Sequence, residues 1–356
     1  MTGPEEDVAS APAAGGCAKP ASAAQPLMAK LARYREPSLR RSLGELAATI
    51  IPFVGLWIAI WLCLEHAYWL SLLLGVMAAG FLVRLFMIQH DCGHGSFFSR
   101  RLPNDLLGRA ISVLTLTPYG EWRRTHAMHH ATSGNLSRRG IGDVETLTVA
   151  EFRRLPAWRR LRYRLYRNPL VLLGLGPLFL FVLKYRIPTR PLESDARAWA
   201  SAMSTNLAIA AVVSLLIALI GVRDFLLIQI PITLLASTAG VWLFYVQHQF
   251  EHAWWEESAD WSAQASALHG SSHYDLPQPL RWLTANIGAH HIHHLSSRIP
   301  SYRLGEVLRD HPELRGVNRL TLWQSVRCFR LALWDEAGRR LVSFREARGP
   351  ARDARA

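Results

Sequence analysis

The stretch TIIPFVGLWIAIWLCLEHAYWLSLLLGVMAAGFLVRLFMIQHDCGH, residues 49–94, contains two long apolar runs that are separated only by EHAY. Each run approaches the ~20 residues that a helix needs to cross the hydrocarbon core of a bilayer. Because the connection is so short, the two helices must be antiparallel neighbours. The stretch therefore predicts a helical hairpin in a membrane, and it ends in a pair of histidines.

A second pair of apolar runs follows, NLAIAAVVSLLIALIG (206–221) and FLLIQIPITLLASTAGVWLFYV (225–246), joined by VRD. We therefore predict an all-α integral membrane protein with two transmembrane hairpins. The four spans are expected at about residues 46–64, 69–89, 206–221 and 225–247. Arg84 is the one charged residue within these runs, and it lies near a span end, where its side chain can snorkel to the interface.

The formal net charge of +13 comes almost entirely from arginine. A nucleic-acid partner is not expected, because the chain has no recognition motif and basic residues commonly flank membrane spans. The hairpin connections carry a single arginine, Arg223, whereas residues 100–167 between the hairpins are dense in arginine. By the positive-inside rule, that segment and both termini are cytoplasmic. In a bacterium this corresponds to the inner membrane.

The chain ends differ in composition from the rest of the sequence. Residues 1–30 are rich in Ala, Gly and Pro, and residues 346–356 are rich in Arg and Ala, so we expect disordered tails around one domain, 31–345. The N-terminal segment lacks the charged and apolar regions of a signal peptide. The four cysteines form no CxxC pair, and we expect no disulfide.

Most of the 15 histidines fall into three clusters on segments that should be cytoplasmic. The clusters are His90 and His94; His126, His129 and His130; and His290, His293 and His294. Spacings of three and four residues place the rings on one face of a helix. Eight imidazoles exceed the four ligands of a structural zinc ion and fit two metal ions better. Spacing alone leaves Fe, Zn, Cu and Ni open.

The clusters and their surroundings resemble the three histidine boxes of membrane fatty-acid desaturases. The matching segments are HDCGHGSFF (90–98), HAMHHATSGN (126–135), QHQFE (247–251) and NIGAHHIHHLSSRIPSYRL (286–304). The pattern is most similar to the bacterial and cyanobacterial delta-12 (omega-6) acyl-lipid type, over about Pro52 to Leu304. This resemblance implies a non-haem di-iron enzyme that uses O2 as co-substrate.

The resemblance also implies a ligand set. The expected iron ligands and catalytic residues are His90, His94, His126, His129, His130, His290, His293 and His294, with His248 as a ninth metal ligand. These would form a di-iron site in a cytoplasmic helical cap over the spans. Asp91 and Asp143 could orient ligating rings by accepting their second N–H.

The remaining histidines are not expected to bind metal. His291 occupies a variable position of the third box, and His252 stands where relatives often have an acid. His269 and His273 lie in a segment that reads as a loop and are interpreted as structural. The list is completed by His66, at an outer hairpin tip, and His311, in a C-terminal soluble segment.

The reaction implied by the family removes two hydrogens from adjacent acyl carbons, consumes one O2, two electrons and two protons, and releases water. The most specific expectation is conversion of oleoyl to linoleoyl chains on membrane lipid. The acyl chain is expected in a narrow apolar tunnel formed by the hairpins and by Asp105 to Pro118. The sequence contains no GxGxxG or CxxC cluster, so an external donor such as ferredoxin is expected to bind the arginine-rich face.

Other functions stay open at this point. The same scaffold could carry a desaturase of different regiochemistry, a hydroxylase or a carotenoid oxygenase. A zinc-dependent membrane receptor or a metal transporter belongs to a different class. A transporter should place ionisable ligands within its spans, whereas the histidine clusters lie outside them.

The apolar stretch PLVLLGLGPLFLFVL, residues 169–183, could be mistaken for a fifth span. Boxes two and three must reach the same metals, so the chain must cross the membrane an even number of times between them. The stretch is also short, ~22 Å at ~1.5 Å per residue, against a core of ~30 Å. We therefore predict a re-entrant or interfacial helix that leaves Arg167 and Arg190 on the same side, with a bend favoured by Gly174, Gly176 and Pro177.

Overall fold

The computed structural model describes residues 27–189 and 191–348. These described residues include four helices that are long and apolar enough to cross a membrane. They are α1 (Leu39–Cys63), α2 (Tyr68–His94), α7 (Ala196–Ile220) and α8 (Val222–His248). The shorter helices between the hairpins are α3 (Arg101–Leu114), α4 (Tyr119–Thr132), α5 (Val149–Arg154) and α6 (Ala157–Tyr166). Those after the second hairpin are α9 (Ala263–His269), α10 (Gln278–Leu283), α11 (His290–Leu295), α12 (Ser301–Asp310) and α13 (Leu322–Cys328).

The long helices extend beyond the apolar runs that predicted them. Helix α2 continues past the expected span end at 89 to His94, where Gly95 stops it in the left-handed conformation with φ of 66°. Helix α7 begins at Ala196, well before residue 206, and the Asp195 side chain caps it by accepting from Arg197 N at 2.7 Å. Because the helices are longer than the apolar runs, they can present polar side chains just beyond the predicted spans.

Helix α2 is the central helix of the bundle. In its most apolar window 61 % of the residues are buried inside the protein, against 6 % in α7. It packs between α1 and α8, and its buried side chains belong to the main apolar core. The outer helices instead expose large apolar side chains, among them Ile51, Leu207 and Leu219. Such surfaces are suited to contact with lipid rather than with water.

Arg84 does not snorkel to the end of its helix as we predicted. Its guanidinium is buried between α1 and α10, where it pairs with Glu45 and donates to Thr49 Oγ1 at 3.2 Å. It also donates to the carbonyl of Trp282 and stacks over that ring at 4.0 Å. A charge inside an apolar bundle needs a partner, and Glu45 lay just outside the run that defined the first span.

Within the described residues, five short strands modify the predicted all-α architecture. They are β1 (Leu147–Thr148), β2 (His273–Asp275), β3 (Arg319–Thr321), β4 (Leu331–Asp335) and β5 (Arg340–Ser343). One sheet has the order β1-β4-β5, in which β4 pairs parallel to β1 and antiparallel to β5. The second joins β2 and β3 in parallel, with His273 opposite Arg319. Strands of two to five residues are too short to be recognised in a sequence by alternating polarity.

The predicted interfacial stretch is part of a helical segment, Val171–Arg186, that is bent by 58° from α6. The bend falls before Gly174, and around the glycines the helix widens to π-type turns, so the bend is not where we predicted it. Near its start, the buried Arg167 donates to Tyr245 Oη at 2.9 Å in the last turn of α8. After its end, Thr189 N donates to Glu121 Oε1 at 3.4 Å on α4. Arg190 lies outside the described residues.

The predicted tails lie mostly outside the described residues. Of the N-terminal one, residues 27–30 are helical, and of the C-terminal one, Glu346–Arg348 form a 3-10 turn. The Glu346 side chain accepts from Ser343 N at 2.9 Å, which ties this turn to the end of β5.

Candidate metal centre

Four helices bring their histidines to one place. The ends of α2 and α8 contribute one histidine cluster and His248, and α4 and α11 present the other two clusters from short helices. The nine predicted ligands form two groups, in each of which the ligand atoms lie within 4.8 Å of one another. We call them site A (His90, His94, His126, His130 and His293) and site B (His129, His248, His290 and His294).

The spacing of the ring nitrogens fits metal coordination. In site A, the Nε2 atoms of His94 and His126 are 3.1 Å apart, and those of His130 and His293 are also 3.1 Å apart. In site B, the Nε2 of His248 lies 3.1 Å from that of His129 and 2.9 Å from that of His290. Two nitrogens ~2.1 Å from one metal ion and about 90° apart lie ~3 Å from each other.

Burial keeps these imidazoles in the form that binds metal. Desolvation and then the neighbouring imidazoles hold the pKa of His126, His130 and His293 well below 6.5. The same two causes lower the pKa of His290 and His294. Neutral imidazole is the ligand form, so the rings need not lose a proton at neutral pH to accept an ion.

One of the two predicted orienting carboxylates contacts a candidate ligand. Asp143 Oδ1 lies in hydrogen-bond contact with His129 Nδ1, which leaves Nε2 of that ring for site B. Asp91 instead accepts from Ser301 N at 2.8 Å at the start of α12. Its carboxylate is 3.5 Å from His90 Nδ1, which has no hydrogen-bond partner among the described residues. Asp91 therefore ties α12 to the end of α2.

The two glutamines of QHQFE anchor His248 on both sides, a role that we did not predict. Gln247 Nε2 donates to the carbonyl of Ile287 at 3.1 Å, just before α11. Gln249 Oε1 accepts from Arg167 Nη2 at 2.7 Å, and Gln249 Nε2 donates to Thr146 Oγ1 at 3.1 Å. The two glutamines could have been found from the sequence, because they flank a histidine at the end of an apolar run. Arg167 had no such signal, because it is one of many arginines in its segment.

The other histidines lie away from both sites. His291 is buried but faces the carbonyl of Leu314, with Nε2 at 3.0 Å, and burial lowers its pKa to about 3. His273 faces the carbonyl of Arg315 in the same way, with Nδ1 at 2.7 Å. His311 is paired with Glu313 at 3.1 Å. The exposed ones are His66, His252 and His269.

A small cavity adjoins site B. It is bounded by three loops and the end of α8, and its lining includes Asp143, Phe244, His248 and Trp255. The segment predicted to line an acyl tunnel, Asp105 to Pro118, does not border this cavity. In that segment Asp105 accepts from Tyr119 Oη at 3.0 Å and from Arg123 Nη1 at 2.8 Å, which joins α3 to α4.

The geometry of the two sites is compatible with several transition metals. Comparison with known proteins narrows the choice of function and of metal. The family model described as fatty acid desaturase matches residues 66–325, which include all nine histidines. The chain belongs to the fatty acid desaturase family. As a fatty acid desaturase, it is an oxidoreductase that acts on paired donors with O2, in a family known for its use of iron.

Curated relatives extend this comparison. A protein of Bacillus subtilis (strain 168) named fatty acid desaturase is 44 % identical over 319 residues, 90 % of each chain. The sn-1 oleoyl-lipid 12-desaturase of Synechocystis is 28 % identical over 278 residues, 73 % of this chain and 71 % of the relative. The sn-1 acyl-lipid omega-3 desaturase (ferredoxin) of Nostoc sp. (strain 36) is 27 % identical over 238 residues, 62 % of this chain and 61 % of the relative.

Proposed function

We propose that this desaturase introduces a cis double bond at the delta-12 position of oleoyl chains on membrane lipid, giving linoleoyl chains. The enzyme class is carried by the family match, and the site by the two histidine groups. The regiochemistry is carried by the 12-desaturase relative, whose similarity covers 73 % of this chain. Oleoyl chains are unactivated at the reacting carbons, so acid–base groups alone could not remove these hydrogens.

Site A and site B would each hold one iron ion, with all nine histidines as ligands. An iron pair would supply the O2 chemistry needed to remove two hydrogens and form water, with two electrons from the acyl chain and two from an external donor. Zinc is redox-inert and could not supply this chemistry. The nine histidines would hold the ions, and the contact of Asp143 with His129 Nδ1 would fix the orientation of that ring.

We further propose that the four long helices span the membrane with the histidine centre and both termini in the cytoplasm. The arginines of residues 100–167 support this orientation. Val171–Arg186 would lie along the interface, because Arg167 and Thr189 contact helices α8 and α4, both of which carry candidate ligands. The acyl chain would then enter between the hairpins, beneath the two sites and along Asp105 to Pro118.

An external one-electron carrier is part of the proposal. We propose ferredoxin as this carrier, because it appears in the name of the Nostoc relative. An acidic carrier would be attracted to the arginine-rich face of the protein. No nucleic-acid partner is proposed.

The product of the reaction provides the experimental test. The gene should be expressed in a host that makes only saturated and monounsaturated lipids, and the fatty acids analysed by mass spectrometry with double-bond localisation. We expect linoleoyl chains with the intact enzyme and none with His129→Ala. His66→Ala, which changes an exposed histidine far from the sites, should retain activity.

The position of the new double bond distinguishes the alternatives. Delta-9 products from saturated chains would contradict the proposed regiochemistry and leave the desaturase class intact. A product bond at the omega-3 position would agree instead with the Nostoc relative. Hydroxylated acyl chains or oxidised carotenoids in place of a desaturated lipid would contradict the proposed reaction.

A further inference from the structure

Helix α6 presents an apolar face to its surroundings rather than to the protein. Trp158 is 60 % exposed, Leu161 58 % and Leu165 54 %. At about 100° per residue these three positions fall within ~60° of one another on the helix. They therefore form one narrow apolar face, which we call the α6 face.

The opposite side of the helix is attached to the protein. Tyr163 is buried there, donates its hydroxyl to the carbonyl of Ala332 at 2.7 Å and accepts from Leu147 N at 3.1 Å. Because Tyr163 joins α6 to both strands β1 and β4, the helix cannot turn to bury its other side. The α6 face is thus held outward by the fold.

The charges beside the α6 face select what can cover it. Arg159 and Arg162 are exposed and lie next to the face, and the Arg159 guanidinium stacks against the Trp158 ring at 5.1 Å. An exposed helix with large apolar side chains on one face and arginines beside it fits a bilayer surface with anionic headgroups.

Exposed apolar side chains also follow the bend. After the bend, Leu170 is 82 % exposed, and Leu175, Phe179 and Leu183 in the following helical segment are also exposed. This exposure, together with the charges, favours a lipid surface over a protein partner.

We propose that α6 is a membrane-surface helix that binds anionic phospholipid, with the α6 face in the acyl region and Arg159 and Arg162 at the phosphates. This inference goes beyond the proposed reaction but rests on the proposed membrane placement. Each of these arginines should strengthen the binding of α6 to an anionic bilayer surface about fivefold. The density of arginine in this part of the chain thus has a second role besides orientation.

Spin labels test this in nanodiscs that contain the whole protein. Cysteines would replace Leu161 on the α6 face, Arg160 outside it, and Ile51 on the exposed surface of α1, in a Cys17→Ser, Cys63→Ser parent. Cys92 and Cys328 are buried. Oxygen concentrates in lipid and nickel ethylenediaminediacetate in water. The oxygen-to-nickel accessibility ratio at 161 should be several times the ratio at 160.

The control positions separate the possible failures. A lipid-like ratio at 51 with a water-like ratio at 161 would overturn the α6 proposal alone. A water-like ratio at 51 would overturn the proposed membrane placement itself. Low accessibility of 161 to both reagents would mean that protein covers the α6 face, and it would also overturn the proposal.

The anionic preference has its own test. Nanodiscs of phosphatidylcholine alone are compared with nanodiscs that also contain phosphatidylglycerol. The ratio at 161 should rise with phosphatidylglycerol, and the Arg159→Gln, Arg162→Gln variant should lose this rise. A ratio that is the same in both lipids would contradict recognition of anionic headgroups.

Discussion

Site A and site B are assembled differently, although they share two of the three histidine boxes. The first box contributes only to site A and His248 only to site B. The other boxes divide between them: in the second, His126 and His130 belong to site A and His129 to site B. The histidines of one box therefore do not all belong to the same metal site. Neighbouring positions on one short helix point at two different sites.

The surroundings of the two sites differ as well. Site B has four histidines, the Asp143 contact and the adjoining cavity, whereas site A has five histidines. A catalytic metal usually keeps a coordination position that protein does not fill. We infer that site B is better placed than site A to admit a small molecule such as O2.

The largest expected effect is the loss of a ligand from either site. His94→Ala in site A and His129→Ala in site B should each abolish desaturation, because each removes a histidine from a group whose ligand atoms all lie within 4.8 Å of one another. Product formation in the heterologous host measures this. His252→Ala, at an exposed histidine four residues after His248, is the matched control and should retain activity. Full activity in either ligand variant would remove that residue from the centre.

A smaller effect is expected from the carboxylate that distinguishes site B. Asp143→Asn retains the size of the side chain but weakens its contact with His129, and should lower activity by about 10–100-fold. Iron content should fall less than in His129→Ala. Asp91→Asn is the comparison at site A, where the carboxylate binds Ser301 N rather than a ring. Equal losses in the two variants would erase the proposed difference between the sites.

Arg167 should matter to stability more than to chemistry. Arg167→Met removes the charged donor that Gln249 and Tyr245 share, at a cost of about 1.5–3 kcal/mol for each of these hydrogen bonds. The melting temperature in detergent should fall by several degrees, as read by intrinsic fluorescence. Arg162→Met, on the exposed surface of α6, is the control. An unchanged melting temperature in Arg167→Met would mean that this contact does not hold the end of α8.

The smallest effect is expected at His291, which lies between two ligands in sequence but faces the other way. His291→Asn retains a donor for the carbonyl of Leu314 and should change activity by less than about twofold. The neighbouring His290→Asn should abolish activity. A loss in His291→Asn as large as the loss in His290→Asn would place His291 in the centre.

The membrane topology is tested separately by cysteine accessibility. Arg167 is buried and Arg190 lies outside the described residues, so exposed positions on either side of Val171–Arg186 are better choices. Arg162→Cys and Ile187→Cys should both react with an impermeant reagent only from the cytoplasmic side. If one of them reacts only from outside the cell, the segment crosses the membrane and the four-span topology is wrong.

Much of this arrangement could be predicted from the sequence because it depends on local periodicity. Apolar runs of span length identify the four long helices, and spacings of three and four residues mark the histidine faces. The assignment of His129 to one site and His130 to the other could not be predicted, because it depends on how helices α4, α8 and α11 meet. Arg84 was misread for a similar reason: its partner Glu45 comes from another helix.

We propose that the nine histidines hold two iron ions, one at each site. Metal analysis of the purified enzyme by mass spectrometry tests it most directly, together with His94→Ala and His129→Ala. We expect two iron ions per chain in the intact enzyme and about one in each variant. His94→Ala should retain the iron ion of site B, and His129→Ala should retain that of site A. Active enzyme that contains zinc and no iron would contradict the claim, as would a full complement of two irons in either variant.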